Sequence, residues 1–259
     1  MSYQTLEVTK EKHVITVTLN RPDALNSMNG QMIQELRDCF TSLLNEKDAQ
    51  ILILKGSGRA FSAGGDIKAM LANDGSFEMK TIMKQLEELA LAYYSLPMLT
   101  IASVHGAAAG LGYSLVLASD FIVAEKSAKL AMNFIGIGLV PDGGGHFFLK
   151  ERTGIPGAKH IIWQGKMMTG DEAHAAKLID QVAEDGTLQD TTNALVKHLS
   201  HSPVEAMISS KQILHGTKMD ELKSVLAEEA KVQTNLRTSE DHLEGIDAFV
   251  SKRKPFFNQ

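Results

Sequence analysis

Cysteine is almost missing from this 259-residue chain, in which Cys39 is the single one. One thiol excludes an internal disulfide and any metal site built on cysteines, and it fits a reducing compartment. Runs of positive charge are missing too before the extreme C-terminus, and the formal net charge is −5. Nucleic-acid binding therefore lacks its electrostatic footprint. No apolar run approaches the roughly 20 residues that span a bilayer. The opening MSYQTLEVTK has no charged segment followed by an apolar one, so no signal peptide is expected. The nine histidines include no H-E-x-x-H or comparable spacing, so no metal is expected either. Together these absences lead to the expectation of a soluble, cytoplasmic chain without a nucleic-acid or membrane partner.

What is present is a hydrophobic fraction of 44%, enough at this length for one large domain, or for a core with a smaller appendage. The start reads as a hairpin: residues 5–9, a turn at residues 10–12, then HVITVTL with its β-branched residues. From Asn29 a helix is expected, because Met32, Ile33, Leu36, Phe40, Leu43 and Leu44 recur at the helical period, with Cys39 on the same apolar face. A strand, a glycine loop, a helix and a strand then follow one another twice, at residues 51–70 and 99–124. Such alternation argues for parallel strands joined by crossover helices. After Gly143 the pattern turns mostly helical, with segments expected at 144–152, 155–164, 171–177, 187–200, 203–213, 219–235 and 239–252. The expected division is an α/β core over residues 1–200 and a C-terminal helical region over residues 201–259.

The most telling stretch is LTIASVHGAAAGLGYSL, residues 99–115. Its apolar first part reads as a buried strand, its middle as a loop of glycines and alanines, and its end as a helix. Small residues let a ligand approach the backbone, and a helix start offers unpaired N–H groups at the positive end of a dipole. A second loop of this kind is Phe61-Ser62-Ala63-Gly64-Gly65-Asp66. Two convergent N–H donors form an oxyanion hole for an enolate or a similar anion. The rival readings fail on spacing. Gly56-Ser57-Gly58 is followed by Phe61, and Gly110-Leu111-Gly112 by Leu115, so neither completes G-x-G-x-x-G. No glycine loop ends in Gly-Lys-Ser/Thr, and Gly112-Tyr113-Ser114 does not close as the G-x-S-x-G elbow.

Five stretches in a fixed order carry a family resemblance: LNRPDALNSMN (19–29), GRAFSAGGDIKAM (58–70), SVHGAAAGLGYSLVLASD (103–120), GIGLVPDGGG (136–145) and FVSKRKPFF (249–257). Across essentially its whole length the chain resembles the crotonase, or enoyl-CoA hydratase/isomerase, superfamily. The resemblance implies an α/β fold with a repeated ββα spiral core and a C-terminal helical region that assembles trimers or dimers of trimers. It also implies an acyl-CoA thioester as substrate and no cofactor beyond the coenzyme A which that substrate carries. Carried onto this chain, the donors to the thioester oxygen fall on Gly65 and Leu111, directly after Gly64 and Gly110, which the resemblance places at the substrate. Backbone contacts to the adenine side fall around Ala24, Ser62 and Ala63.

Departures from the family pattern are as informative. The resemblance implies two glutamates for adding water, and here their positions are occupied by Ser114 and Phe134. A serine at its ordinary pKa is a poor acid or base, and phenylalanine is neither. Asp142, directly after Pro141, is the carboxylate that remains. Isomerase branches of the family, including epoxyphenylacetyl-CoA isomerases of phenylacetate breakdown, carry an aspartate there. Asp142 is expected to act as the single base, with Phe134 lining the acyl pocket and its apolar surroundings raising the carboxyl pKa. The competing role for Asp142 is an N-cap for the helix beginning near Gly144. His146, one turn further on, is placed to orient Asp142, or else faces solvent or a subunit. Lys68, Lys252, Arg253 and Lys254 are candidate phosphate contacts, with solvated surface charge as the default reading of each and the favoured one for Lys68. His105, Tyr93 and Tyr94 read as packing residues. Double-bond isomerisation is thus the leading activity, with hydration and a non-catalytic acyl-CoA-binding subunit as alternatives.

Overall fold

The computed structural model describes residues 3–72 and 76–259. Near the N-terminus an antiparallel hairpin joins β1 (Leu6–Glu11) to β2 (Val14–Leu19). The expected turn is displaced: the first strand runs on to Glu11, and Lys12 and His13 alone reverse the chain, with Lys12 at φ 53°. A two-residue reversal needs a left-handed residue, and nothing in this lysine-rich segment marks which one takes it. β3 (Ile51–Gly56) and β4 (Leu99–Val104) follow in parallel. After the short β5 (Ala107–Ala109), β6 (Phe121–Glu125) joins β4. β7 (Lys129–Ala131) pairs with β5 in a separate small layer, and β8 (Gln181–Ala183) completes the main sheet in the order β1-β2-β3-β4-β6-β8. The sequence reading missed β5, β7 and β8, since three residues are too few to display a period of two.

Both faces of this sheet are covered, which is why β3 and β4 read as unbroken apolar runs. On one face lie α1 (Gly30–Leu43), α3 (Ser76–Tyr94) and α4 (Leu111–Leu117), packed on Leu52, Leu54, Ala102 and Val104; the short α2 (Ile67–Ala72) precedes α3. The side chain of Asn29 caps α1 by accepting from Met32 N–H, and Met32, Ile33, Leu36, Cys39 and Phe40 are buried at the expected helical spacing. Each such burial contributes about 1.5–3 kcal/mol.

The chain continues through α5 (Gly145–Gln164) and α6 (Gly170–Ala175) to the helices of the other face. There Ile51, Leu99, Ile101 and Val123 meet α7 (Leu188–Ser200) and the first turns of α8 (Val204–Leu236). α9 (Glu240–Val250) follows. α5 kinks at Gly154, two residues before Pro156, where the sequence places a break.

The two helices expected at 203–213 and 219–235 are one. α8 runs unbroken through Gly216, because its flanks are held on α3 and α5. A pinning point explains part of this. Lys211, 8% exposed, reaches Asp120 at 2.7 Å and the Met98 carbonyl at 2.8 Å. One turn on, His215 stacks on Tyr94 with ring centroids 3.7 Å apart. Tyr93 is buried with its hydroxyl 2.7 Å from Ser119 Oγ, so both tyrosines pack as the sequence indicates. A Cβ at Gly216 meets no atom within 4 Å. Gly216→Ala is therefore expected to stabilise the fold by about 0.5–1 kcal/mol, read as a higher urea midpoint at unchanged m-value.

Candidate active site

The two glycine loops are stitched together by backbone pairing. The Ser62 N–H donates to the Ala107 carbonyl at 2.9 Å, and the Ala109 N–H returns to Ser62 at 3.0 Å. On the other side the Met28 N–H donates to the Gly64 carbonyl at 2.7 Å, and the Asp66 N–H to Met28 at 3.1 Å. Gly64 and Gly110 are required by this arrangement. Gly64 sits at φ +93°, and a Cβ there would lie 2.7 Å from the Ala109 carbonyl oxygen. Gly110 precedes α4 at φ 51°, ψ −125°, a conformation open in practice to glycine alone.

These constraints leave the backbone donors of Gly65 and Leu111 free. Among the described residues neither the Gly65 N–H nor the Leu111 N–H meets a protein acceptor. Leu111 opens α4, where the first N–H groups have no intrahelical partner. Gly65 and Leu111 line one cavity of about 630 Å³ together with Ala63, Gly64, Gly110, Phe134 and Asp142. Apolar side chains from several elements extend it, among them Met28, Ile33, Met83 and Leu86 with Ile246 and Phe249 of α9.

Asp142 is the carboxylate buried in this wall. It is 7% exposed, and its Oδ2 accepts from Gln233 Nε2 at 3.1 Å, while Oδ1 has no partner. Burial, then the nearby charge of Glu229, push its pKa up to about 7, against a smaller lowering by the Gln233 bond. The expected rise is thus present, and its leading cause is the loss of water. Asp142 does not cap α5. Gly144 occupies the N-cap position without a side-chain bond, and the cap is supplied from α8. Glu229 accepts the Gly144 N–H at 2.8 Å on one oxygen and the His146 N–H at 3.1 Å on the other. His146 Nδ1 also meets Glu229, at 2.8 Å, with its side chain half-exposed, so of the two readings of His146 a direct contact with Asp142 is replaced by one to Glu229.

Other candidates lie outside the wall. Ser114 is fully buried and its Oγ donates to the Asp142 carbonyl at 2.8 Å, so it holds the Asp142 turn instead of facing the cavity. Ser62 is also fully buried; it donates to the Asn26 carbonyl at 2.8 Å and accepts the Gly64 N–H at 3.1 Å. Ala24 ends the short 3-10 turn Pro22–Ala24 and is not among the lining residues. Lys68, Lys252 and Lys254 are exposed. Arg253 is engaged with Glu244 and Asp247, both at 2.5 Å, which ties the segment after α9 back to that helix. His105 Nε2 rests on the Gly58 carbonyl at 2.9 Å, a loop contact.

Sequence reasoning missed Glu229 and Gln233. A faint signal exists: Leu222, Leu226, Glu229 and Gln233 fall on one helical stripe, so two polar residues continue an apolar face. Among the described residues no group of three or more His, Cys, Asp or Glu side chains is placed to hold a metal ion, and no helix is long and apolar enough to cross a membrane.

Comparison with known proteins agrees with this geometry. Residues 9–259 match the family model for enoyl-CoA hydratase/isomerase. YhaR of Bacillus subtilis, whose name places it in that family, is 45% identical over 244 residues, covering 94% of this chain and 95% of YhaR. The 1,2-epoxyphenylacetyl-CoA isomerase of Escherichia coli is 34% identical over 255 residues, with 95% of each chain covered. Among solved structures, an enoyl-CoA hydratase from Mycobacterium avium subsp. paratuberculosis superposes with a TM-score of 0.90 at 29% identity over the full length of both chains. Two stitched glycine loops, a ββα core wrapped by C-terminal helices and a match along nearly the whole chain lead to one conclusion: the protein belongs to the enoyl-CoA hydratase/isomerase, or crotonase, family.

Proposed function

We propose that the protein is an acyl-CoA isomerase that shifts a double bond, or rearranges an epoxide, in a coenzyme A thioester, using no other cofactor. One observation carries the reading: among the described residues the cavity of the two free donors is lined by two carboxylates, Asp66, which is paired with Arg21, and Asp142, whose pKa is pushed up to about 7. The Gly65 and Leu111 N–H groups hold the thioester oxygen and stabilise the negative charge that develops there. Asp142 takes a proton from the carbon next to the carbonyl of a 3-enoyl chain. The electrons spread into a dienolate, and Asp142 returns the proton two carbons further along. A base that titrates near the working pH suits both halves of this traffic.

Hydration needs a second acid over the substrate. Phe134 and the withdrawn Ser114 supply none, Asp66 is paired with Arg21 at 3.0 Å, and Glu229 is spent on the start of α5. The test is to supply 3-enoyl-CoA, 2-enoyl-CoA and epoxyphenylacetyl-CoA to the purified protein. Conjugation or ring expansion is expected; dominant hydration of the 2-enoyl substrate, or binding without turnover, would sink the reading. The family resemblance further points to a homotrimer or a dimer of trimers, which light scattering on the eluting protein would check.

A further inference from the structure

The start of α5 raises a question of charge. A buried glutamate is costly unless its charge is answered, yet Glu229 is buried at 4% exposure, one helical turn from Gln233, which touches Asp142. Its charge is answered by two backbone N–H groups and His146, all on the segment that follows Asp142. The turn at residues 141–145 is thereby clamped twice, by Glu229 on its amides and by Ser114 on the Asp142 carbonyl. We propose that Glu229 is a positioning residue for the base: it fixes the backbone carrying Asp142 and presents a buried negative charge to it, while half-exposed His146 moderates that charge.

The proposal rests on the assignment of Asp142 as base. Its neighbourhood is small enough to make the effect specific. From α8, Asp142 is faced by Glu229 and Gln233, and His146 approaches only through Glu229. The other ionisable groups lining the cavity are Asp66, held by Arg21; His242, whose Nδ1 lies 2.8 Å from the Ile137 carbonyl; and Arg237, one turn beyond Gln233. Asp66 and His242 are thus engaged with Arg21 and the Ile137 carbonyl. A like charge beside a carboxyl disfavours its ionised form. Glu229 therefore keeps the base protonated to higher pH than burial alone, and a donor on Glu229 weakens that effect.

The experiment is a pH–rate profile of isomerisation for the wild type, Glu229→Gln and His146→Ala. Glu229→Gln is expected to move the acidic limb down by on the order of one pH unit. His146→Ala, which removes a donor from Glu229, is expected to move it up. A purely structural cap would lower kcat and leave the limb in place, and that result would overturn the proposal. A substrate-independent measurement guards against a damaged variant: the Asp142 carboxyl band, taken as the infrared difference between each protein and its Asp142→Asn counterpart, should titrate with the same displacements. Should Asp142→Asn retain turnover, the base assignment fails; should it lose turnover while Glu229→Gln leaves both titrations unmoved, only the role of Glu229 fails.

Discussion

Asp142→Asn is expected to lose about 10²–10⁴-fold in isomerase turnover and, at the same time, to become more stable. Both effects come from one buried group. The carboxyl is held protonated up to about pH 7 in the folded protein, whereas an unfolded aspartate ionises near ~3.9. Between those values the folded state keeps a proton that the unfolded chain releases, so stability falls as pH rises through the window. Above it the full penalty applies, up to about 4 kcal/mol at 1.36 kcal/mol per pH unit. Asparagine carries no charge to desolvate and can still accept from Gln233. The variant should therefore unfold at higher temperature than the wild type at pH 8, and at the same temperature near pH 4. Equal stability at pH 8 would show that the carboxyl is not under strain.

Leu111→Pro is the second substitution with a large expected effect, because it deletes one donor while sparing the helix. Leu111 is the first residue of α4, the position where proline is best tolerated and where an N–H has no helical partner to lose. Loss of an oxyanion donor typically costs about 2.7–4 kcal/mol in the transition state. Leu111 is also 3% exposed, so removal of its side chain needs a control. Leu111→Ala keeps the N–H and loses the packing. Turnover of the proline variant is expected about 10²–10³-fold below that of the alanine variant, with matching circular dichroism. A ratio near one would remove Leu111 from the oxyanion hole.

How far the sequence discloses this site depends on which physical signal each residue leaves. The two glycine loops are legible because close backbone approach demands glycine, and Gly64 and Gly110 advertise it. Asp142 is legible because it follows Pro141 in a glycine-rich turn where the resemblance expects an acid. The cap of α5 is not. Aspartate two residues before the N-cap is a good local guess, but the carboxylate that caps comes from 85 residues beyond that N-cap, at Glu229. No local pattern encodes such a contact. The same limit explains α8: glycine at 216 is a local argument for a break, and Lys211, buried against Asp120, is a distant argument for continuity. Distant contacts win, as they generally do once a helix packs on both sides.

α8 carries a consequence for the order in which the protein comes to life. Synthesis proceeds from the N-terminus and folding tends to follow it. Gly65, Leu111 and Asp142 are all made before α8, which carries Glu229 and Gln233. A nascent chain, or a product clipped within the last helices, can hold the two glycine loops while its aspartate sits on an uncapped turn. On the reading of Asp142 as the base, the site is therefore tuned only once α8 docks, and a polypeptide still lacking α8 would carry the loops without a positioned base.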